Sequence, residues 1–72
     1  GKDSVGKDKA VQTALKHAGL TSSQVTQLEA KLDRDGGKLV YEIEFRSGNY
    51  EYEYEIDASS GSIIKSEKDL DD

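Results

Sequence analysis

The run Tyr50-Glu51-Tyr52-Glu53-Tyr54-Glu55-Ile56 alternates an aromatic or apolar residue with a carboxylate at every step. That period of two fits an extended strand with one buried and one wet face, whereas a helix would scatter the rings around its circumference. Just upstream, Leu39, Tyr41, Ile43 and Phe45 alternate with Val40, Glu42, Glu44 and Arg46, and Ser47-Gly48-Asn49 between the two runs is turn chemistry. With Gly48 and Asn49 as a two-residue loop, Ser47 faces Tyr50. Phe45 then pairs with Tyr52, Ile43 with Tyr54 and Tyr41 with Ile56, all on one face. Turn position and alternation agree, which is what a specified hairpin register requires.

The same reading extends in both directions. Leu28, Ala30 and Leu32 alternate with Gln27, Glu29 and Lys31, and Asp33-Arg34-Asp35-Gly36-Gly37 follows as a turn. Pairing Leu32 with Leu39 brings Ala30 opposite Tyr41 and Leu28 opposite Ile43, so both hairpins point the same residues inward. After a turn over Asp57 to Gly61, a short last strand is expected around Ser62 to Ser66. Ahead of the strands, Ala10, Val11, Ala14, Leu15 and Ala18 fall on one 3.6-period stripe, with Lys16 and His17 in the last turn and Gly19 beyond it. The spacing predicts a helix over Lys7 to Ala18, and Thr21 or Ser22 can start a further single turn. The fold expected is α+β, one N-terminal helix packed on a four-stranded antiparallel β-meander, because the sheet's apolar face needs cover and the helix is what can supply it. The chain divides into a flexible lead-in over 1–6, a single domain over 7–66 and a charged, frayed tail over 67–72.

Composition removes several function classes. Seventy-two residues suffice for one domain and not two. No cysteine is present, so neither a disulfide framework nor a thiolate metal site is available. No apolar run approaches the ~20 residues needed to cross a bilayer. The first residues show no signal-peptide pattern, as expected of a mature or trimmed form, and Gly1 in place of an initiator Met fits a cleaved product, which leaves room for a longer parent. A net charge of -5 and a pI near 4.7 argue against nucleic acid and against anionic membrane surfaces.

On the outer face the register sets Glu44 opposite Glu53 and Glu42 opposite Glu55, with Glu29 beside Glu42. Like charges directly opposite are unfavourable by a few tenths to ~1 kcal/mol a pair; Lys31, Arg46 and Lys65 offset part of this. Three uses of such a face are open: a solvated surface, a docking surface for a basic partner, or a weak cation site. The turn Asp33 to Gly37 slightly resembles a calcium loop but lacks the later ligands and the bidentate Glu. Paired carboxylates suit glycosidase acid/base work only where burial raises one pKa, and an open sheet offers none. His17, the single histidine, reads as a helix C-terminal residue rather than a base. Tyr41, Tyr52 and Tyr54 read as core rings with hydroxyls at the rim, and Tyr50 beside the turn as the most exposed. Edge strands offer a second route, by strand addition from a partner peptide.

Taken in order, "KHAGL" at Lys16 to Leu20, "LDRDGGKLVYEIEF" at Leu32 to Phe45 and "YEYEIDASSGSII" at Tyr52 to Ile64 resemble a PepSY domain, over Lys7 to about Lys65. The resemblance implies a helix on an antiparallel sheet, in a bacterial protein that is exported or held at the envelope. It also implies a non-catalytic role, similar to a propeptide segment of thermolysin-type metallopeptidases, and regulation or inhibition of a peptidase. Many members carry two tandem copies, whereas this chain has one. The family supplies no functional residue to transfer, and no catalytic, cofactor-binding or metal-ligating residue is assigned. The partner-binding set is therefore the physical one: Glu42, Glu44, Tyr50, Glu51, Glu53 and Glu55. The expected function is an exported interaction module with a protein partner, a peptidase being the class implied. A spacer domain of an envelope protein and a weak extracellular cation binder stand as the alternatives.

Overall fold

The computed structural model describes residues 5–70; residues 1–4 and 71–72, the outer parts of the expected lead-in and tail, lie outside the described residues. Helix α1 (Lys7–Ala18) is followed by a 3-10 turn (Ser22–Gln24) and four strands: β1 (Thr26–Asp35), β2 (Lys38–Ser47), β3 (Tyr50–Asp57) and β4 (Ile63–Leu70). The strands form one antiparallel sheet in the order β1-β2-β3-β4, with α1 packed on one face. The helix-on-meander architecture read from the alternation is the architecture present.

Helix α1 closes as its sequence dictates. Gly19 takes φ 75, its N–H donates to the Lys16 carbonyl at 3.1 Å, and the Leu20 N–H reaches back to the Leu15 carbonyl at 3.0 Å. This Schellman closure satisfies two otherwise orphaned carbonyls and turns Leu20 back onto the core. Ala10, Ala14 and Leu15 are buried, and the two alanines let the helix backbone lie close over the aromatic sheet face. In the 3-10 turn the Gln24 side chain accepts from the Thr21 N–H at 2.8 Å, and Ser47 Oγ donates to the Gln24 carbonyl at 3.0 Å. The connector is thereby pinned to the end of β2.

The central hairpin has the predicted register: Ser47 opposite Tyr50, Phe45 opposite Tyr52, Ile43 opposite Tyr54, Tyr41 opposite Ile56. The first hairpin differs from expectation by two residues. Leu32 faces Tyr41 rather than Leu39, Ala30 faces Ile43, and Asp35 faces Lys38. Gly36 and Gly37 adopt φ 60 and 83, so two residues make the whole loop as a type I′ turn and the strands run on to Asp35 and Lys38. A slip of two preserves the faces, so the inward set is unchanged, but the rows across the outer face are not. Near the start of β1, Gln27 takes φ 54 where two residues of β1 oppose one of β2, a bulge between Thr26 and Glu29.

Phe45, Leu15, Ile43 and Ile56 are the largest fully buried side chains of the cluster, closed in by Tyr41, Tyr52 and Tyr54. Phe45 stacks between Tyr52 and Tyr54, with centroids 5.1 and 5.9 Å away. The core role expected for these three tyrosines holds. Leu28, Leu32 and Leu39 point to the same side yet stand 41%, 53% and 39% exposed. The reason is size. A 12-residue helix is about 18 Å long and about 10 Å wide. Strands of ten residues extend about 33 Å. The helix covers the middle of the sheet, reaching Ala30 on β1, and leaves Leu32 and Leu39 at the hairpin end and much of Leu28 bare.

Two differences lie at the ends. The last of the lead-in is anchored: the Val5 N–H donates to the Ala58 carbonyl at 2.7 Å and its side chain packs on the core. The stretch expected as a frayed tail is strand as far as Leu70, with Glu67 opposite Glu53, Lys68 opposite Tyr52 and Leu70 opposite Tyr50. Lys68 Nζ lies 4.3 Å from the Tyr50 ring centroid and 5.6 Å from that of Tyr52. These cation–π contacts favour an extended conformation that β propensity alone would not give this charged stretch. The strand is fed by a tight turn in which the Asp57 carboxylate accepts from the Ser59 and Ser60 N–H groups at 2.8 and 3.1 Å. Lys38 Nζ lies 3.5 Å from the same carboxylate.

Candidate interaction surface

The face of the sheet away from α1 carries the carboxylates, and the register arranges them in rows perpendicular to the strands. One row reads Glu29, Glu44, Glu53, Glu67, one glutamate from each of the four strands. The next reads Lys31, Glu42, Glu55, Lys65, and on the other side Arg46, Glu51 and Asp69 align. Adjacent strands lie about 4.8 Å apart, so the four-glutamate row spans about 14 Å. The sequence reading placed Glu29 beside Glu42. The two-residue register difference puts it opposite Glu44 and leaves Lys31 opposite Glu42. Glutamates thus collect in one row and lysines flank the next.

The cations on this face are partly committed. Lys65 Nζ lies 3.7 Å from Glu67, and Lys65 also faces Glu55. Glu53 holds its proton more tightly than the ordinary 4.5, through desolvation first and then the charges of Glu44, Glu67 and Glu51, with Lys65 opposing. Glu55 is raised as well, through desolvation first, then Asp35 and Glu42, again against Lys65. Asp57 is lowered from 3.8, first by the Ser60 and Ser59 N–H groups, then by Lys38. A shallow depression between β2 and β3 is lined by Glu42, Glu44, Glu53, Glu55 and Lys65. Val40, on this same face, is nonetheless fully buried between Asp33 and Asp57 on the neighbouring strands.

These shifts fix a pH dependence. Glu53 and Glu55 bind protons more tightly folded than unfolded, so the stability they withhold at neutral pH returns on acidification toward their unfolded value of 4.5. Asp57 has the opposite sign: its contribution is present above 3.8 and is lost as pH falls through its lower folded value. Thermal melts followed by circular dichroism should show the melting temperature climbing from neutral pH toward the ordinary carboxylate range, then falling in stronger acid. A monotonic fall from neutral pH would contradict this account.

Of the six residues singled out from sequence, the structure brings Glu42, Glu44, Glu51, Glu53 and Glu55 onto one face. Tyr50 is not with them. It lies on the helix side of the sheet, 40% exposed, its ring under Lys68. Glu29 and Glu67 complete the row and were missed in the binding set, Glu67 because its stretch carried no apolar alternation to mark it as strand. Among the described residues no group of three His, Cys, Asp or Glu is placed to hold a metal ion. The Asp33 carboxylate accepts from the N–H of Arg34, and the rest of that turn is a tight hairpin loop, so it does not form a calcium loop. His17 is more than a helix-terminal residue: its Nδ1 shares a 3.0 Å hydrogen bond with the Tyr54 hydroxyl, closing the rim of the core. Burial, and after it Tyr52, raises the Tyr54 pKa above 10.0, keeping that hydroxyl protonated for the bond.

A short helix over an antiparallel meander, its far face open and acidic, defines a small α+β module. Residues 4–67 match the family model described as "Peptidase propeptide and YPEB domain", and the chain belongs to this PepSY family. It is 44% identical over 69 residues to "Uncharacterized protein Spy1430" of Streptococcus pyogenes serotype M6, covering 94% of this chain and 53% of that protein. It is 41% identical over 66 residues to "Uncharacterized protein YkoJ" of Bacillus subtilis, covering 90% of this chain and 36% of that protein. The chain therefore spans about half of one curated relative and about a third of the other. No solved structure matches it. Among the described residues no helix is long and apolar enough to cross a membrane.

Proposed function

We propose that this chain is a non-catalytic interaction module, exported or held at the bacterial envelope, whose acidic sheet face docks a lysine- or arginine-rich surface of a peptidase and restrains it. The observation that carries this reading is the row Glu29, Glu44, Glu53, Glu67. Carboxylates set directly opposite one another across three strand pairs cost stability. A basic partner supplies the counter-charge that the fold leaves out. The family description, which names a peptidase propeptide, supports the class of partner. Such a surface steers encounter and sets partner choice more than it adds raw affinity, so the association should weaken steeply with salt.

Affinity capture with the domain from secreted and envelope fractions of its bacterium, with the eluate assayed for peptidase activity, is the direct test. The expected result is a captured peptidase whose rate falls when the domain is added. The same capture with Glu44, Glu53 and Glu55 all replaced by Lys should return none. Equal capture by the reversed variant would move the contact off this face. An eluate empty of peptidase would favour a spacer domain, the reading suited to a chain that spans half of a longer relative.

A further inference from the structure

The two edges of the sheet are built differently. β4 carries an extra residue at Ile64 and turns a lysine, Lys68, toward the helix side over Tyr50 and Tyr52. A bulge and an inward charge are both devices that discourage further strand pairing. β1 lacks them over most of its length. From Glu29 to Asp35 it runs in regular register against β2, and every residue of the strand is exposed except half-buried Ala30. As an edge strand it presents a row of backbone N–H and C=O groups with no strand partner. Its helix-side residues Leu28 and Leu32 are open to solvent, with Leu39 next to them on β2, and α1 borders the Leu28 end of this strip through Lys7, Asp8, Val11 and Gln12.

The segment Leu28-Glu29-Ala30-Lys31-Leu32 is its own complement about Ala30. Two copies run antiparallel around a two-fold axis at Ala30 set Leu28 opposite Leu32 of the second copy, and Glu29 opposite Lys31 of the second copy, each twice. The bulge at Gln27 ends the paired stretch there, so pairing runs from Leu28 to Leu32 in each copy and no like charges face each other within it. Moving the axis to Glu29, Lys31 or Asp33 sets a charge against itself. Moving it to Leu32 sets Glu29 against Asp35. An axis at Leu28 falls on the bulge, so among registers centred in the regular stretch from Glu29 to Asp33 the Ala30 axis alone buries both leucines with no like charges opposed.

We propose that the chain forms a two-fold homodimer by antiparallel β1–β1 pairing centred on Ala30, joining the two sheets into one of eight strands. Leu28 and Leu32 of both copies meet on the helix side, and two Glu29–Lys31 pairs close the outer side. This contact runs along the β1 edge and shares only Glu29 with the partner-docking row, and it forms with no partner present. A strand pair buries less than a standard protein interface, so the dimer is a weak one and appears with rising concentration.

Sedimentation equilibrium over a wide concentration range tests it. The wild-type chain should pass from monomer to dimer. Glu29→Lys and Lys31→Glu should each weaken association at least about tenfold, equivalent to about 1.4 kcal/mol, because each sets like charges against each other twice. An equimolar mixture of the two variants should recover a heterodimer, since every introduced charge then meets its opposite. A wild-type monomer throughout, single variants that associate like wild type, or a mixture no better than its components would each overturn the proposal. Should Lys31→Glu fail to fold beside Glu42, Leu32→Asp at its exposed position gives the same loss of dimer with a melt that confirms folding.

Discussion

Replacing Phe45 with Ala is expected to destabilise the domain by about 3–5 kcal/mol, the range for deleting a fully buried ring. Phe45 is 1% exposed and sits between Tyr52 and Tyr54, so its removal costs two ring contacts together with the transfer and cavity terms. A domain of this size has on the order of 5 kcal/mol in all, so the variant should be largely unfolded at room temperature. Ile43→Ala and Ile56→Ala, both at 0% exposure, should each cost about 2–5 kcal/mol. Leu32→Ala is the control. It lies on the same face of the sheet but is half exposed, and at low protein concentration it should cost under about 1 kcal/mol. Urea titrations with unchanged slopes would measure all four. Equal losses at Phe45 and Leu32 would mean that the helix covers the whole face, contrary to the geometry described above.

Glu44→Lys should do the reverse and stabilise. Glu44 faces Glu29 on one side and Glu53 on the other, so one substitution converts two repulsive cross-strand pairs into two attractive ones. With each pair worth about 0.2–1 kcal/mol, a gain of about 1 kcal/mol is expected, read as a higher urea midpoint at low salt that shrinks as salt is added. The same substitution should weaken capture of a basic partner. A surface that gains stability when its charge is reversed, yet loses its partner, is one whose charge serves something other than the fold. If the midpoint stayed still or fell, the glutamate row would be no more than a well-hydrated face.

The Tyr-Glu alternation, the Gly48-Asn49 turn and the helix stripe ending at Gly19 were legible because each is a local property: side-chain direction repeats every two residues in a strand and every 3.6 in a helix. From these alone follow the helix-on-meander fold, the register of the central hairpin, the inward set around Phe45 and the outward glutamates of β2 and β3. They also suffice to put Tyr50 on the helix side, since it shares the parity of Tyr52. Its nearness to the turn is what drew it into the binding set.

What the sequence left open depended on groups distant along the chain. Whether a helix-side leucine is buried is decided by the footprint of a 12-residue helix on a wider sheet, not by the leucine. Whether Glu67 to Leu70 is strand or tail is decided by the Tyr50 and Tyr52 rings across the gap from Lys68. The glutamate row needs both the two-residue Gly36-Gly37 loop, which sets Glu29 opposite Glu44, and the extension of β4, which brings Glu67 beside Glu53. Periodicity determined which way each side chain points. The tertiary structure decided what it meets there, because cover and cross-strand neighbours are set by element lengths and registers that no single segment contains.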